Sequence, residues 1–195
     1  SKSEMLFLDY LNEWVQVHKA SIQPATFISY NRMITGRITQ YFEPLGLKLC
    51  EVTPQVLDEF QEKILLEGYT TNTVIHYHAI FGKAFKDAVR KDYLKTNPML
   101  KVDRPKKNSF RPNFYSKDEV QQLLEVSQDD PLHLCILITA YYGLRRSEVL
   151  GLKWSSIDFE RKSITINHKV TEQLVNGKYV PVVSDVMKNK TSCRT

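Results

Sequence analysis

Between residues 7 and 18 the apolar positions Phe7, Leu11, Trp14 and Val15, together with His18, recur at the spacing of a helix with one buried face. Ser21-Ile22-Gln23-Pro24 opens a second helix, with proline in the first turn, where its missing N–H would lack a partner anyway. That pattern runs through Tyr30 and Ile34 to about Phe42 and contains Gly36. Thr53-Pro54 reads as an N-cap and first-turn proline for a third helix carrying Leu57, Phe60, Ile64 and Leu65, closed by Gly68. A fourth, longer helix is predicted from Thr70 or Thr71, with Ile75, Ala79, Phe81, Ala84, Phe85 and Ala88 on its inner face, ending before Asn97-Pro98. Four amphipathic helices predict a compact bundle over residues 1–102.

Periodicity then stops. Residues 103–115 hold two prolines and four basic side chains and read as an extended linker. A second domain, 116–195, starts at Ser116-Lys117-Asp118-Glu119, a capping box in which serine and glutamate satisfy each other's backbone amides. Its first helix carries Val120, Leu123 and Leu124; another runs from about Pro131 to Tyr142 and stops at Gly143. A short helix at Ser147–Gly151 follows. The period then changes to two at Ser163–Asn167, and Asn176-Gly177 marks a hairpin turn. The expected fold class is mainly α: a four-helix bundle followed by a partial α+β domain with a small antiparallel sheet.

Composition narrows the function classes. With 42% hydrophobic and 11% aromatic residues the chain can bury a real core, which excludes wholesale disorder. Cys50, Cys135 and Cys193 show no paired spacing, so neither a disulfide framework nor a metal site is expected, and a cytoplasmic setting fits. No apolar run is long enough for a membrane span. The net charge is +5, and the four basic and one acidic residues of 103–115 supply +3 of it. Such a stretch suits a backbone-tracking segment on DNA, although a solvated loop has the same composition.

The most informative stretch is Gly143-Leu144-Arg145-Arg146-Ser147-Glu148-Val149-Leu150-Gly151-Leu152-Lys153-Trp154, followed by Ile157-Asp158. An apolar helix ends at a glycine, and two arginines stand at the mouth of a new helix. An arginine fixed there can offer its planar fork to a phosphate, beside the positive end of the helix. Glu148 falls near that helix start. Surface ion pairing of both arginines is the plain alternative.

The pattern Gly-Leu-Arg-x-Ser-Glu-x-Leu-x-Leu-x-Trp-x-x-Ile-Asp resembles the first catalytic box of the tyrosine recombinases, the integrases of phages and conjugative transposons. The resemblance places the first catalytic arginine on Arg145 and the supporting acidic residue on Glu148. It implies a SAM-like core-binding bundle ahead of the catalytic domain. Lys188-Asn189-Lys190-Thr191-Ser192-Cys193-Arg194 is similar to the family's lysine-bearing hairpin. That puts the general acid on Lys188, with Lys190 as the alternative. The family's binding mode implies that the second and fourth helices face the major groove. Side chains of suitable type there are Thr26, Ser29, Tyr30, Thr71, Asn72, Thr73, Tyr77 and Lys83; in the linker they are Lys106, Lys107 and Arg111.

The resemblance implies double-stranded DNA core sites as partner, a tetramer on DNA for the whole enzyme, a monomer for this stretch alone, and no metal or cofactor. The family also needs His-x-x-Arg and a C-terminal tyrosine. None of His18, His76, His78, His133 and His168 is followed three residues later by arginine. The chain is therefore expected to be a fragment that binds DNA without cutting it. A non-catalytic DNA-binding regulator, a type IB topoisomerase-like enzyme and a helical protein-interaction module are the other readings.

Overall fold

A computed structural model describes residues 2–109, 111–175 and 178–184, and the chain divides into two compact units, Ser1–Phe110 and Arg111–Thr195. The divide falls inside the basic, proline-containing stretch.

Unit 1 is built on helices α1 (Phe7–His18), α2 (Pro24–Met33), α3 (Thr39–Phe42), α4 (Pro54–Leu66) and α5 (Thr71–Arg90). The expected caps form: Thr53 Oγ1 accepts the Val56 N–H at 3.3 Å and Thr70 Oγ1 accepts the Thr73 N–H at 3.4 Å. Phe7, Phe42, Phe60, Phe81 and Phe85 meet at the centre, with ring centroids 4.9 Å apart for Phe7–Phe42 and 5.4 Å for Phe60–Phe81. Such pairs add roughly 0.5–1.5 kcal/mol each beyond the area they bury.

Three expectations change here. The second helix is not continuous: Ile34–Ile38 forms a π-type turn in which Gly36 leaves helical geometry (φ −93°, ψ −110°), and α3 resumes beyond it. Ile34 and Ile38, at the two ends of this turn, are both fully buried. Leu65, expected inside, is 39% exposed. On α5 the buried face at the start is Val74, Tyr77 and Ile80, while Ile75 is half-buried and Ala79 exposed. The inner face thus differs from the expected one over the first turns only, where Tyr77 packs edge-on against Phe60 at 5.3 Å, whereas Phe81, Ala84, Phe85 and Ala88 are buried as expected.

Unit 2 holds α6 (Lys117–Val126), α7 (His133–Tyr142) and α8 (Arg146–Leu150), then strands β1 (Ile157–Asp158), β2 (Ser163–Ile164), β3 (Lys169–Val175) and β4 (Lys178–Ser184). The Ser116 box closes, its Oγ accepting the Glu119 N–H at 3.2 Å and Glu119 Oε2 accepting the Ser116 N–H at 2.7 Å. Those bonds hold the Glu119 carboxyl below its ordinary range. The strands form two antiparallel pairs, β1–β2 and β3–β4, the second in register from Lys169↔Ser184 to Val175↔Lys178. Strand structure over 163–167 is thus limited to two residues, although Ile166 is buried at 4% exposure. The Asn176-Gly177 turn lies outside the described residues.

Candidate functional site

The arginine box begins where α7 stops. Gly143 takes the left-handed conformation (φ 61°, ψ 33°) and its N–H closes onto Thr139 O at 2.9 Å. A side chain would strain that turn, so glycine is the residue that lets the chain reverse here. Leu144 then buries, and Arg145 becomes the N-cap residue of α8, extended at φ −71°, ψ 150°.

Glu148, one turn later, is 3% exposed. Its Oε2 accepts the Arg145 backbone N–H at 3.0 Å, and its Oε1 accepts Arg145 Nη1–H at 2.8 Å. Arginine has no acceptor to return, so only the carboxylate half of a capping box forms. A buried carboxylate therefore grips one edge of a guanidinium whose side chain is 67% exposed. The rest of the fork is open to solvent. Arg146 is the first helical residue and is exposed.

The hairpin is pressed against this helix. A Cβ at Gly151 would stand 2.6 Å from Lys169 Cα and 2.8 Å from its backbone N and C. Only glycine allows β3 to pass so close to the end of α8.

In unit 1 the candidate DNA-facing residues divide. Tyr30 of α2 and Lys83 of α5 come together, the Lys83 ammonium donating to Tyr30 Oη at 2.7 Å. Thr26 is half-buried on α2, and Ser29 is exposed. Thr71, Asn72 and Thr73 cluster at the start of α5. Thr73 Oγ1 lies 3.3 Å from Thr70 Oγ1, and Asn72 Nδ2–H reaches the carbonyl of Asn108 at 3.5 Å. Thr71 Oγ1 and Asn72 Oδ1 are shielded from solvent without a hydrogen-bond partner. Tyr77 is a correction: expected at the exposed start of α5, it is 5% exposed in the core, and burial raises its phenol pKa. Lys106, Lys107 and Arg111 are exposed, as phosphate contacts would need to be. Lys188 and Lys190 lie outside the described residues. Among the described residues no cluster of three or more His, Cys, Asp or Glu side chains could hold a metal, and no helix is long and apolar enough to cross a membrane.

One feature of this surface gives no sequence signal. Trp14 and His18 of α1 both reach Asp87 of α5, across 73 positions for the tryptophan.

Known proteins resemble both units. Residues 6–104 match the phage integrase SAM-like domain and residues 113–191 match the phage integrase family. A XerC-like tyrosine recombinase of Caldanaerobacter subterraneus subsp. tengcongensis is 27% identical over 96% of this chain and 50% of its own length. The tyrosine recombinase XerC of Bacillus pumilus is 30% identical over 90% of this chain and 56% of its own. The chain thus spans about half the length of these curated relatives. Among solved structures, the Tn1549 transposon integrase in complex with a circular intermediate DNA superposes with a TM-score of 0.75 at 18% identity, over 97% of this chain and 60% of that one. A lambda integrase tetramer bound to a Holliday junction gives 0.71 at 18% identity, over 93% and 52%. At such identities the structural likeness speaks for the fold.

Proposed function

Because this chain belongs to the phage integrase family of tyrosine recombinases, we propose that it is the DNA-gripping and arginine-bearing part of an enzyme for site-specific DNA recombination. The observation that carries the reading is the Arg145–Glu148 pair: a guanidinium fixed from behind by a buried carboxylate and open in front.

In this reading the bundle and the basic segment hold duplex DNA, with Thr26, Tyr30, Thr71, Thr73 and Lys83 on one side and Lys106, Lys107 and Arg111 on phosphates. A tyrosine attacks the scissile phosphate, giving a 3′-phosphotyrosine and a free 5′-hydroxyl; the reverse step on a new 5′-hydroxyl rejoins the strand. The covalent link conserves the bond energy, so no cofactor is required. Arg145 meets the negative charge that builds on the phosphoryl oxygens, and Glu148 prevents its fork from swinging away. A fixed donor of that kind contributes about 3 kcal/mol or more. Lys188, or Lys190, protonates the departing oxygen.

No His-x-x-Arg occurs among the 195 residues, so this stretch alone is proposed to bind DNA as a monomer without cutting it. The whole enzyme is proposed to act as a tetramer, on bacterial phage or mobile-element DNA in the cytoplasm. The structural likeness to a lambda integrase tetramer on a Holliday junction supports that assembly.

The test is Arg145→Ala in the full-length enzyme, assayed on the attachment-site duplex of its own element. Covalent protein–DNA adduct should fall by roughly a hundredfold or more while duplex affinity stays within a few-fold. Adduct at the wild-type level would remove Arg145 from the chemistry.

A further inference from the structure

We infer that Asp87 and the side chains donating to it keep Lys83 available to DNA, with Trp14 and Asp87 as positioning residues that do not themselves touch the duplex. The inference rests on the reading of Tyr30 and Lys83 as DNA-facing.

On α5, Lys83 and Asp87 are four residues apart and share a helix face, the spacing at which lysine and carboxylate side chains commonly pair. Such a pair would cancel the lysine's charge and fold its ammonium down onto the helix. The tertiary structure engages the carboxylate elsewhere. Asp87 Oδ2 accepts Trp14 Nε1–H at 2.9 Å and lies 2.9 Å from His18 Nε2; Oδ1 accepts Arg90 Nη2–H, also at 2.9 Å. With its side chain 14% exposed, Asp87 is engaged by Trp14, His18 and Arg90.

Lys83 instead donates to Tyr30 Oη at 2.7 Å. Its ammonium is 5.3 Å from the Tyr30 ring centroid, a distance that the hydroxyl bond itself accounts for. It therefore sits beside the hydroxyl and not over the ring face. A neutral acceptor takes one of three N–H donors and leaves the charge intact for a phosphate.

Trp14 serves both halves of the arrangement. Its N–H is committed to Asp87, and Tyr30 stacks on its ring at 6.0 Å and 19°. His18 steadies it, with Nδ1 2.8 Å from the Trp14 carbonyl oxygen. Removing a donor from Asp87 turns its carboxylate toward Lys83, and the DNA contact weakens although no DNA-touching group has been removed.

The test measures binding of this chain to a fluorescein-labelled mixed-sequence duplex at low salt, by anisotropy. Lys83→Met should weaken binding and reduce the slope of log affinity against log salt by about 0.9. Trp14→Phe keeps the apolar burial but deletes the N–H; it should weaken binding roughly two- to fivefold, the size of one surface ion pair. That loss should vanish in the Lys83→Met background, and adding Asp87→Asn to Trp14→Phe should restore the affinity, by more than Asp87→Asn raises it in the wild type. A purely structural role for Trp14 predicts no such rescue, and a loss that persists in both backgrounds overturns the inference. So does wild-type affinity of a folded Trp14→Phe chain. His18→Phe, at a partly exposed position, gives the same comparison if Trp14→Phe does not fold. No effect of Lys83→Met on affinity or salt slope would instead overturn the underlying DNA reading, and the inference with it.

Discussion

At position 145 an arginine two-thirds exposed would be an ordinary surface cation were it not for the carboxylate behind it. Glu148 is 3% exposed and bonds both the backbone and the side chain of Arg145, so its charge is offset at close range and the guanidinium loses freedom before any phosphate arrives. Glu148→Gln keeps the size but weakens both bonds. It should destabilise unit 2 by about 1–3 kcal/mol and lower strand cleavage by the full enzyme with duplex affinity retained, as paired melting and cleavage assays would read. A second residue carries a pH dependence. His78 Nδ1 lies 3.3 Å from Oε1 of the buried Gln61. Burial first, and the Arg104 guanidinium second, push its imidazole below the ordinary 6.5. The unfolded chain then takes up the proton at higher pH than the folded one, so stability is full above about 6.5 and falls as pH is lowered toward the depressed folded value. Melting curves across that interval should show the wild type losing more stability than His78→Gln; equal losses would leave His78 without this role.

Elements in the chain are set by local chemistry and then trimmed by packing. The Ser116 box, the Thr53 and Thr70 caps and the Gly143 stop each specify an end from two to four neighbouring residues, and each forms. The second helix shows the reverse case. Its pattern continues past Gly36, yet the backbone leaves helical geometry there, and Ile34 and Ile38 on either side of the break are both buried. The junction of α8 with β3 depends on a single missing methyl. Gly151→Ala would place a carbon 2.6 Å from Lys169 Cα, and backbone cannot swing aside as a side chain can. Instead of the gain alanine usually brings to a helix end, we expect a loss of about 1–3 kcal/mol, with faster amide exchange concentrated in β3. Unchanged protection in β3 would show that the close approach is tolerated.

The two units differ in how much apolar surface each hides. Unit 1 closes around its phenylalanines, with Leu11, Ile34, Leu57 and Ile80 fully buried. In unit 2 no residue of α6 or α7 is fully buried, and among the described residues the buried cluster is Leu144, Val149 and Ile166. Between α6, α7 and α8 runs an apolar groove of about 540 Å³, lined by Val120, Leu123, Ile136 and Val149 among others. Since stability follows buried apolar area, residues 1–110 expressed alone should unfold cooperatively and retain their melting temperature. Amides of α6 and α7 in the 195-residue chain should exchange well before those of α5. Equal protection of α5 and α7 would contradict this.

Helix ends were legible in the sequence wherever a cap, a proline or a glycine stood beside a periodic run. The arginine box was legible too, because its residues lie within one short stretch and act through neighbours three positions apart. The inner face of the first turns of α5 was not: Ile75–Ala79 and Val74–Tyr77 both fit a helical stripe, and the choice belongs to Phe60 on another helix. That choice took Tyr77 out of the candidate DNA surface. The meeting of Tyr30 with Lys83, and of Trp14 and His18 with Asp87, likewise has no local signal. A sequence fixes which groups can donate or accept, and spacing fixes which of them meet within one helix. Whether a carboxylate pairs with the lysine one turn away or with an indole 73 positions distant is decided only when the helices pack.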